Sequence, residues 1–195
     1  MSFRLGLTGS IGMGKSTTAA MFSERGFPVW DADQAVHRLY SPGGAAVGPV
    51  SAAFPGALKD GAIDRDALKS ALGDDRAALS RLEAIVHPLV ARDRADFLDR
   101  HQDSALIVFD IPLMFEGGSD KSMDGVAVVS TDAETQRARV LARPGMTPQM
   151  FQMILSRQMP DAEKRARADW VIPTDSLDAA RAAVERIIAE VTTHA

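Results

Sequence analysis

The chain has 195 residues, of which 46% are hydrophobic and 25% are charged, and its formal net charge is −4. This length and composition predict one globular domain with a full-sized core. The absence of cysteine excludes a disulfide framework, a thiolate metal site and a cysteine nucleophile. The mildly acidic balance argues against a nucleic-acid-binding protein.

Two further absences narrow the class of protein. No stretch approaches 18 uninterrupted apolar residues and the N-terminus has no signal-peptide layout, so we expect a cytoplasmic protein with no membrane partner. The sequence also contains no asparagine. It therefore cannot carry the N-K-x-D box that reads guanine in P-loop GTPases, which disfavours a GTPase switch.

The first predicted element is a buried central parallel strand at residues 3–7, which leads into a glycine-rich turn and a helix. The turn fits the pattern G-x-x-x-x-G-K-[ST], in which backbone N–H groups and a helix N-terminus surround phosphate oxygens. Lys15 can reach the β and γ phosphates, and the Ser16 hydroxyl can ligate Mg²⁺. The predicted nucleotide-binding residues here are Gly9, Gly12, Met13, Gly14, Lys15, Ser16 and Thr17. The alternative is a glycine-rich turn that happens to carry a lysine.

Two aspartates follow the second predicted strand, residues 27–30. Asp31 and Asp33 precede an apolar helical pattern that ends near Tyr40. Ligands bind at the carboxyl ends of parallel strands in α/β folds, so both aspartates are candidates for chemistry. One of them can be explained as a helix N-cap. The other is then the better candidate for catalysis.

A helical stretch from residue 41 to about 104 separates the second and third strands. It includes a longer helix that opens at Asp74 or Asp75, and Pro88 within it should end one helix and start or kink the next. The stretch is too long for a simple crossover, so we interpret it as a substrate-side subdomain. His87, taken alone, is more often structural than functional.

The third and fourth strands are predicted at residues 105–109 and 125–130. The third ends in Asp110, and a carboxylate in that position can hold Mg²⁺ or its water shell. The alternative is a strand followed by an ordinary loop. Thr131 or Asp132 is then expected to cap a helix through Leu141.

Cationic residues cluster between positions 137 and 167. A solvated helix face is the usual explanation of such a run. Because this run lies between hinge-like Pro and Gly positions, we interpret it as a lid whose Arg143 neutralises phosphate charge, and we leave the roles of the other residues open. The cluster contains Arg137, Arg139, Arg143, Arg157, Lys164, Arg165 and Arg167.

A fifth strand is predicted at residues 169–173, and Ser176 or Asp178 should cap the last helix. Five apolar strands alternating with helices predict an α/β fold with a five-stranded parallel sheet and helices on both faces.

In this order, the residues resemble the dephospho-coenzyme A kinase family over nearly the whole chain. The phosphate loop is shared by many proteins, whereas Asp-Ala-Asp, His-Pro and Pro-Leu-x-Phe-Glu in sequence are specific to this family. The matching positions are residues 6–16, 29–33, 39–40, 82–88, 109–116, 136, 139, 142–143, 158 and 168–172.

The resemblance implies one P-loop kinase domain over residues 1–195, similar to nucleoside monophosphate kinases, with a helical substrate-binding insertion at about 34–104 and a lid at about 143–167. The implied reaction transfers the γ-phosphoryl group of ATP to the ribose 3′-hydroxyl of dephospho-coenzyme A, with Mg²⁺ as the metal. The partners would be these two substrates, and the chain a monomer or weak homo-oligomer.

The same resemblance assigns site residues. Asp33 would lie beside the 3′-hydroxyl and act with Lys15 and Arg143 in catalysis, and Arg143 would also bind ATP. From their positions in the loop motif and at the strand end, described above, Ser16 and Asp110 would hold the metal. The acceptor would contact Asp33, Tyr40, His87, Pro112, Leu113 and Glu116.

Some positions depart from the family pattern. Thr174 stands where an asparagine is common beside the adenine, and Ile154 stands where an arginine is common.

Two alternative functions remain open. One is another small-molecule P-loop kinase acting on a nucleoside, nucleotide or sugar acid, and the other is a non-catalytic ATP-dependent switch or binding module.

Overall fold

The computed structural model describes residues 2–193 and divides the chain into two compact units. The first unit contains the chain up to Trp30 and again from His101 onward, and the second unit is Asp31–Arg100. None of the helices within residues 2–193 is long and apolar enough to cross a membrane.

The strands form a five-stranded sheet in the order β2-β5-β1-β6-β7 and a two-stranded sheet of β3 and β4. In chain order they are β1 (Phe3–Thr8), β2 (Val29–Asp31), β3 (Leu58–Lys59), β4 (Ala62–Ile63), β5 (Leu106–Asp110), β6 (Gly125–Ser130) and β7 (Trp170–Pro173).

Helices connect the strands, together with short 3-10 turns at Pro55–Ala57 and Ser119–Ser122. In chain order the helices are α1 (Lys15–Glu24), α2 (Ala32–Tyr40), α3 (Val47–Ala53), α4 (Arg65–Leu72), α5 (Arg76–Arg100), α6 (Ala133–Leu141), α7 (Pro148–Leu155), α8 (Asp161–Arg167) and α9 (Leu177–Thr192).

Strand β1 lies in the middle of the five-stranded sheet and pairs in parallel with β5 and β6. This confirms the predicted central strand. In the register with β5, Leu7 lies opposite Asp110. The loop that follows β1 and the carboxylate that ends β5 are therefore neighbours at the carboxyl edge of the sheet.

Alternating side chains of the sheet enter two apolar clusters. Leu5 and Leu7 pack with residues of α1 and α9, including Phe22 and Ile187. Val126 and Val128 belong to a separate cluster with Met114 and Phe115. Ala127 and Val129 of β6 belong to the first cluster. Because successive side chains of a strand point to opposite faces, the two clusters cover both faces of β6. The predicted α/β fold is confirmed.

The second unit has its own apolar core of helical residues. Leu39 of α2, Val50 of α3, Leu68 of α4 and Val86 of α5 are among its buried members. The sequence predicted helices here but neither α3 nor the β3–β4 hairpin. Both elements are short, so they offer little periodic pattern to read.

Pro88 does not end a helix, and that prediction is wrong. It lies inside α5, which runs continuously from Arg76 to Arg100. Proline removes one backbone hydrogen bond and strains the preceding turn. Ile85 and Val86 before Pro88, with Leu89 after it, pack in the core of the second unit. Tertiary packing on both sides therefore stabilises the helix through the proline.

Helix caps resolve the alternatives that the sequence left open. Asp31 is the N-cap of α2, Asp132 is the N-cap of α6, and Ser176 is the N-cap of α9. Asp75 accepts a hydrogen bond from Ala77 N–H at the start of α5. Asp33 is thereby left without a capping role.

Candidate active site

The glycine-rich loop between β1 and α1 adopts backbone angles that favour glycine. Gly12 has φ of 80° and Gly14 has φ of 90°. A Cβ atom at Gly12 would also lie 2.5 Å from a methyl carbon of Val140. Gly14 caps α1, whose first turn has no side-chain cap. The N–H groups at this helix start are thus available to an anion, as a phosphate-binding loop requires.

The Lys15 ammonium forms an ion pair with the carboxylate of Asp110. Asp110 is only 1% exposed, and the Lys15 side chain is 16% exposed. A buried carboxylate needs such a partner because burial removes its hydration. The pair therefore holds the loop lysine beside the end of β5.

Ser16 and Asp110 provide hydroxyl and carboxylate oxygens in this region, the donor types that Mg²⁺ prefers. Ser16 lies exposed in the first turn of α1. Within residues 2–193, no cluster of three or more His, Cys, Asp or Glu residues could bind a metal. This donor set fits Mg²⁺, which is usually held by one or two protein groups together with substrate phosphates.

Two glutamines hold the tip of the loop at Ile11. Gln136 of α6 donates from Nε2 to the Ile11 carbonyl at 2.8 Å. Ile11 N–H donates to Oε1 of Gln158, between α7 and α8, at 3.0 Å. Because the loop is rich in glycine, such external hydrogen bonds restrict a conformation that the backbone alone does not determine.

Thr174 joins the end of β7 to the same loop. Its hydroxyl donates to the Met13 carbonyl at 2.7 Å. Arg139 donates to the Thr174 carbonyl at 2.6 Å and to its hydroxyl oxygen at 3.2 Å. The Thr174 N–H donates to the Ser130 carbonyl. All the polar groups of Thr174 are thus used within the protein.

A cavity of about 280 Å³ lies beside the loop. Its volume is close to the lower end of the range for small-molecule sites. Arg139 and Arg143 contribute its cationic groups, and Met21 and Leu177 contribute apolar surface. The structure therefore brings Arg143 to the same cavity as the loop glycines Gly12 and Gly14. Charge and shape both suit part of a nucleotide.

The segment after β5 is tied to other parts of the first unit. The Pro112 carbonyl accepts a hydrogen bond from the Thr8 hydroxyl at 3.1 Å, whereas Leu113 is 47% exposed. Glu116 accepts a hydrogen bond from Met159 N–H and pairs with the Lys164 ammonium. Burial acts to raise the pKa of Glu116, but these two contacts together hold it below its ordinary value.

The remaining predicted residues belong to the second unit. Asp33 is exposed in the first turn of α2, and His87 is exposed on α5. Tyr40 is 8% exposed and packs in the core of this unit. Burial raises the pKa of the Tyr40 hydroxyl, and the nearby charge of Arg65 partly offsets this.

The family model of dephospho-CoA kinase matches residues 3–179. The chain belongs to the dephospho-CoA kinase family. It is therefore an ATP-dependent kinase, as the resemblance of its motifs predicted.

Relatives within the dephospho-CoA kinase family match almost the whole chain. The dephospho-CoA kinase of Jannaschia sp. strain CCS1 is 59% identical over 192 residues, covering 98% of each chain. That of Cereibacter sphaeroides is 60% identical over 189 residues, covering 97% of this chain and 95% of the relative. The solved structure of TT1252 from Thermus thermophilus superposes with a TM-score of 0.87 at 34% identity and covers 97% of each chain.

Several contacts in this dephospho-CoA kinase family member were not assigned from its sequence. Gln136, Gln158 and Arg139 were recognised as matching positions without a role, and Thr174 only as a departure. The full burial of Lys164 was not predicted, because the sequence presented it as one of several cations. Its helix, α8, has only seven residues, too few for periodicity to show which side faces inward.

Proposed function

We propose that this chain transfers the γ-phosphoryl group of ATP to the ribose 3′-hydroxyl of dephospho-coenzyme A, with Mg²⁺ as the metal. The observation that supports this most directly is membership of the family. It is joined by a phosphate loop whose Lys15 pairs with buried Asp110. The cytoplasmic location, the absence of nucleic-acid and membrane partners, and a monomeric or weakly homo-oligomeric state stay predictions.

Phosphoryl transfer requires an in-line approach of the hydroxyl and neutralisation of charge on the phosphate oxygens. Alignment is the larger requirement, since oriented reactants can remove roughly 7–11 kcal/mol of the barrier. One cation about 4 Å from a phosphate oxygen contributes about 4 kcal/mol at an effective dielectric constant near 20. We assign this electrostatic role to Lys15 and Arg143, because both belong to the loop and cavity described above.

We assign Mg²⁺ to the Ser16 hydroxyl and the Asp110 carboxylate. When bound, the ion neutralises charge on the β and γ phosphate oxygens. Asp110 already keeps the Lys15 ammonium beside the end of β5. The same carboxylate would thus orient both positive charges that the triphosphate requires.

Asp33 is proposed to accept or orient the proton of the 3′-hydroxyl. Its carboxylate is exposed, and Asp31, not Asp33, supplies the helix cap, so Asp33 is available for this role. We keep His87, Pro112 and Leu113 as acceptor contacts. Tyr40 is nearly buried, so its part is to shape the acceptor site from the core of the second unit.

An acceptor screen tests the function. ADP formation at fixed ATP and Mg²⁺ is measured with dephospho-coenzyme A and, separately, with nucleosides, nucleotides and sugar acids. We expect selective turnover with dephospho-coenzyme A and none without an acceptor. Preferred turnover with another acceptor would assign a different small-molecule kinase, and ATP binding without any turnover would favour the switch or binding module.

The role of Asp33 is tested by Asp33→Ala, with Gln34→Ala as the control because Gln34 is an exposed neighbour in α2. General acid–base catalysis contributes about 10²–10⁴-fold to the rate, so the substitution should lower kcat by a factor in this range. The affinity for an ATP analogue should be retained. A kcat close to that of the wild type would remove Asp33 from the mechanism.

A further inference from the structure

Two adjacent residues between α7 and α8 contact two different loops. Gln158 Oε1 accepts the hydrogen bond from Ile11 N–H of the phosphate loop at 3.0 Å. Met159 N–H donates to Glu116 Oε1, in the segment after β5, at 2.7 Å. A single peptide linkage therefore connects the phosphate loop to the Glu116 carboxylate.

The Glu116 end of this connection is held by a buried charge. Lys164 is fully buried, and its Nζ lies 2.9 Å from Glu116 Oε1. Nζ has no acceptor with hydrogen-bond geometry within the part of the chain that the structure describes, so the contact is an ion pair. A buried ammonium is costly without a counter-charge, which favours keeping Glu116 in this position.

Helix α8 is anchored at both ends, which makes it a firm support for Lys164. At its start, Asp161 accepts a hydrogen bond from the Ser130 hydroxyl at 2.8 Å. At its end, the Arg167 guanidinium lies 4.6 Å from the centre of the Phe115 ring and 3.4 Å from Asp120. The segment that carries Glu116 is therefore packed against α8.

We propose that Glu116 is a positioning residue for ATP, which acts through Met159 and Gln158 on the phosphate loop and not by binding the acceptor. Ile11 has two side-chain anchors, from Gln136 and Gln158. Release of Met159 would let Gln158 move and leave Ile11 with the Gln136 bond alone. This inference rests on the proposed function only in taking the glycine-rich loop as the ATP site.

A matched pair of double variants isolates the Glu116 contact. Both carry Lys164→Met, so neither leaves a buried charge unpaired. Glu116→Gln keeps a carbonyl oxygen that can accept from Met159 N–H, whereas Glu116→Ala removes it. The dissociation constant of a non-hydrolysable ATP analogue is measured by calorimetry, and the acceptor KM is measured by turnover.

We expect the variant with Glu116→Ala to bind the analogue about fivefold more weakly than the variant with Glu116→Gln, because one hydrogen bond is lost. The acceptor KM should agree within about twofold between them. Equal affinities for the analogue would overturn the proposal. So would a rise confined to the acceptor KM, which would make Glu116 an acceptor-binding residue.

Gln158→Ala supplies an independent route that leaves Glu116 and Lys164 intact. Alone, this substitution should weaken binding of the ATP analogue by about the same factor. When Gln158→Ala is added to each of the two double variants, their affinities for the ATP analogue should become equal. Substitutions along one series of linked contacts are not additive, because each interrupts the same connection. A difference that persists would contradict action through Gln158. The affinities for the ATP analogue are measured without acceptor turnover, so failure of the acceptor screen would leave them readable.

Discussion

Lys15 and Asp110 stand 95 positions apart in the sequence and form an ion pair at the carboxyl edge of the sheet. Asp110 ends β5, and parallel pairing with β1 places it opposite Leu7, just before the phosphate loop. The position of the loop lysine is therefore set by the neighbouring strand as well as by its own helix. Changes at either residue should affect both charge and geometry at this site.

Asp110→Asn should lower kcat by about 10²-fold, because Lys15 loses its fixed counter-charge and the proposed Mg²⁺ site loses its carboxylate. Steady-state kinetics across a Mg²⁺ titration measure this, and the dependence on Mg²⁺ should shift to higher concentration. Asp124→Asn is the control, since Asp124 pairs with Arg4 at a more exposed site. An unchanged Mg²⁺ profile in Asp110→Asn would exclude Asp110 as a metal ligand.

Arg143→Ala should lower kcat by about 10²-fold with little change in the acceptor KM, because a cation that stabilises developing charge acts in the transition state. Arg137→Ala is a matched control, since Arg137 is exposed on α6 and does not line the cavity. Initial rates with varied acceptor and varied ATP separate the two parameters. If only the acceptor KM rises, the lid assignment of Arg143 is wrong.

Gly12→Ala and Gly26→Ala separate backbone strain from steric conflict. Both glycines have positive φ, 80° and 84°, but an added Cβ meets Val140 and the Gln136 carbonyl only at Gly12. We expect Gly26→Ala to cost about 1–2 kcal/mol of unfolding free energy and to retain ATP binding. Gly12→Ala should lower the unfolding free energy by a larger amount and should abolish ATP binding. Urea unfolding and calorimetry measure these effects, and equal losses in both variants would contradict the steric argument.

Glu116 should make part of the stability depend on pH. Its pKa in the folded protein is below the ordinary value of 4.5, so the unfolded chain binds more protons as the pH falls. The stabilisation is therefore present above about pH 4.5 and is lost as the pH falls through the folded pKa. Urea unfolding across this range should show a steeper loss in the wild type than in the double variant Glu116→Gln with Lys164→Met. Identical pH profiles would contradict this prediction.

Much of the fold could be predicted from local patterns. The apolar runs around Leu5, Val108 and Val128 are long enough to identify buried strands, and the glycine–lysine spacing after β1 is read directly from neighbouring positions. Pro88 shows the limit of this reasoning. Its local preference ends a helix, but packing in the second unit carries α5 through it.

The chemistry of the nucleotide site was determined by the sequence alone, because a phosphate loop is a short contiguous motif whose residue types have direct physical roles. Tertiary structure decided which carboxylates are committed to protein partners. Asp110 is paired with Lys15, and Glu116 is held by Met159 and buried Lys164. These partners come from distant segments that strand order and helix packing bring together, and local periodicity carries no information about contacts across such separations.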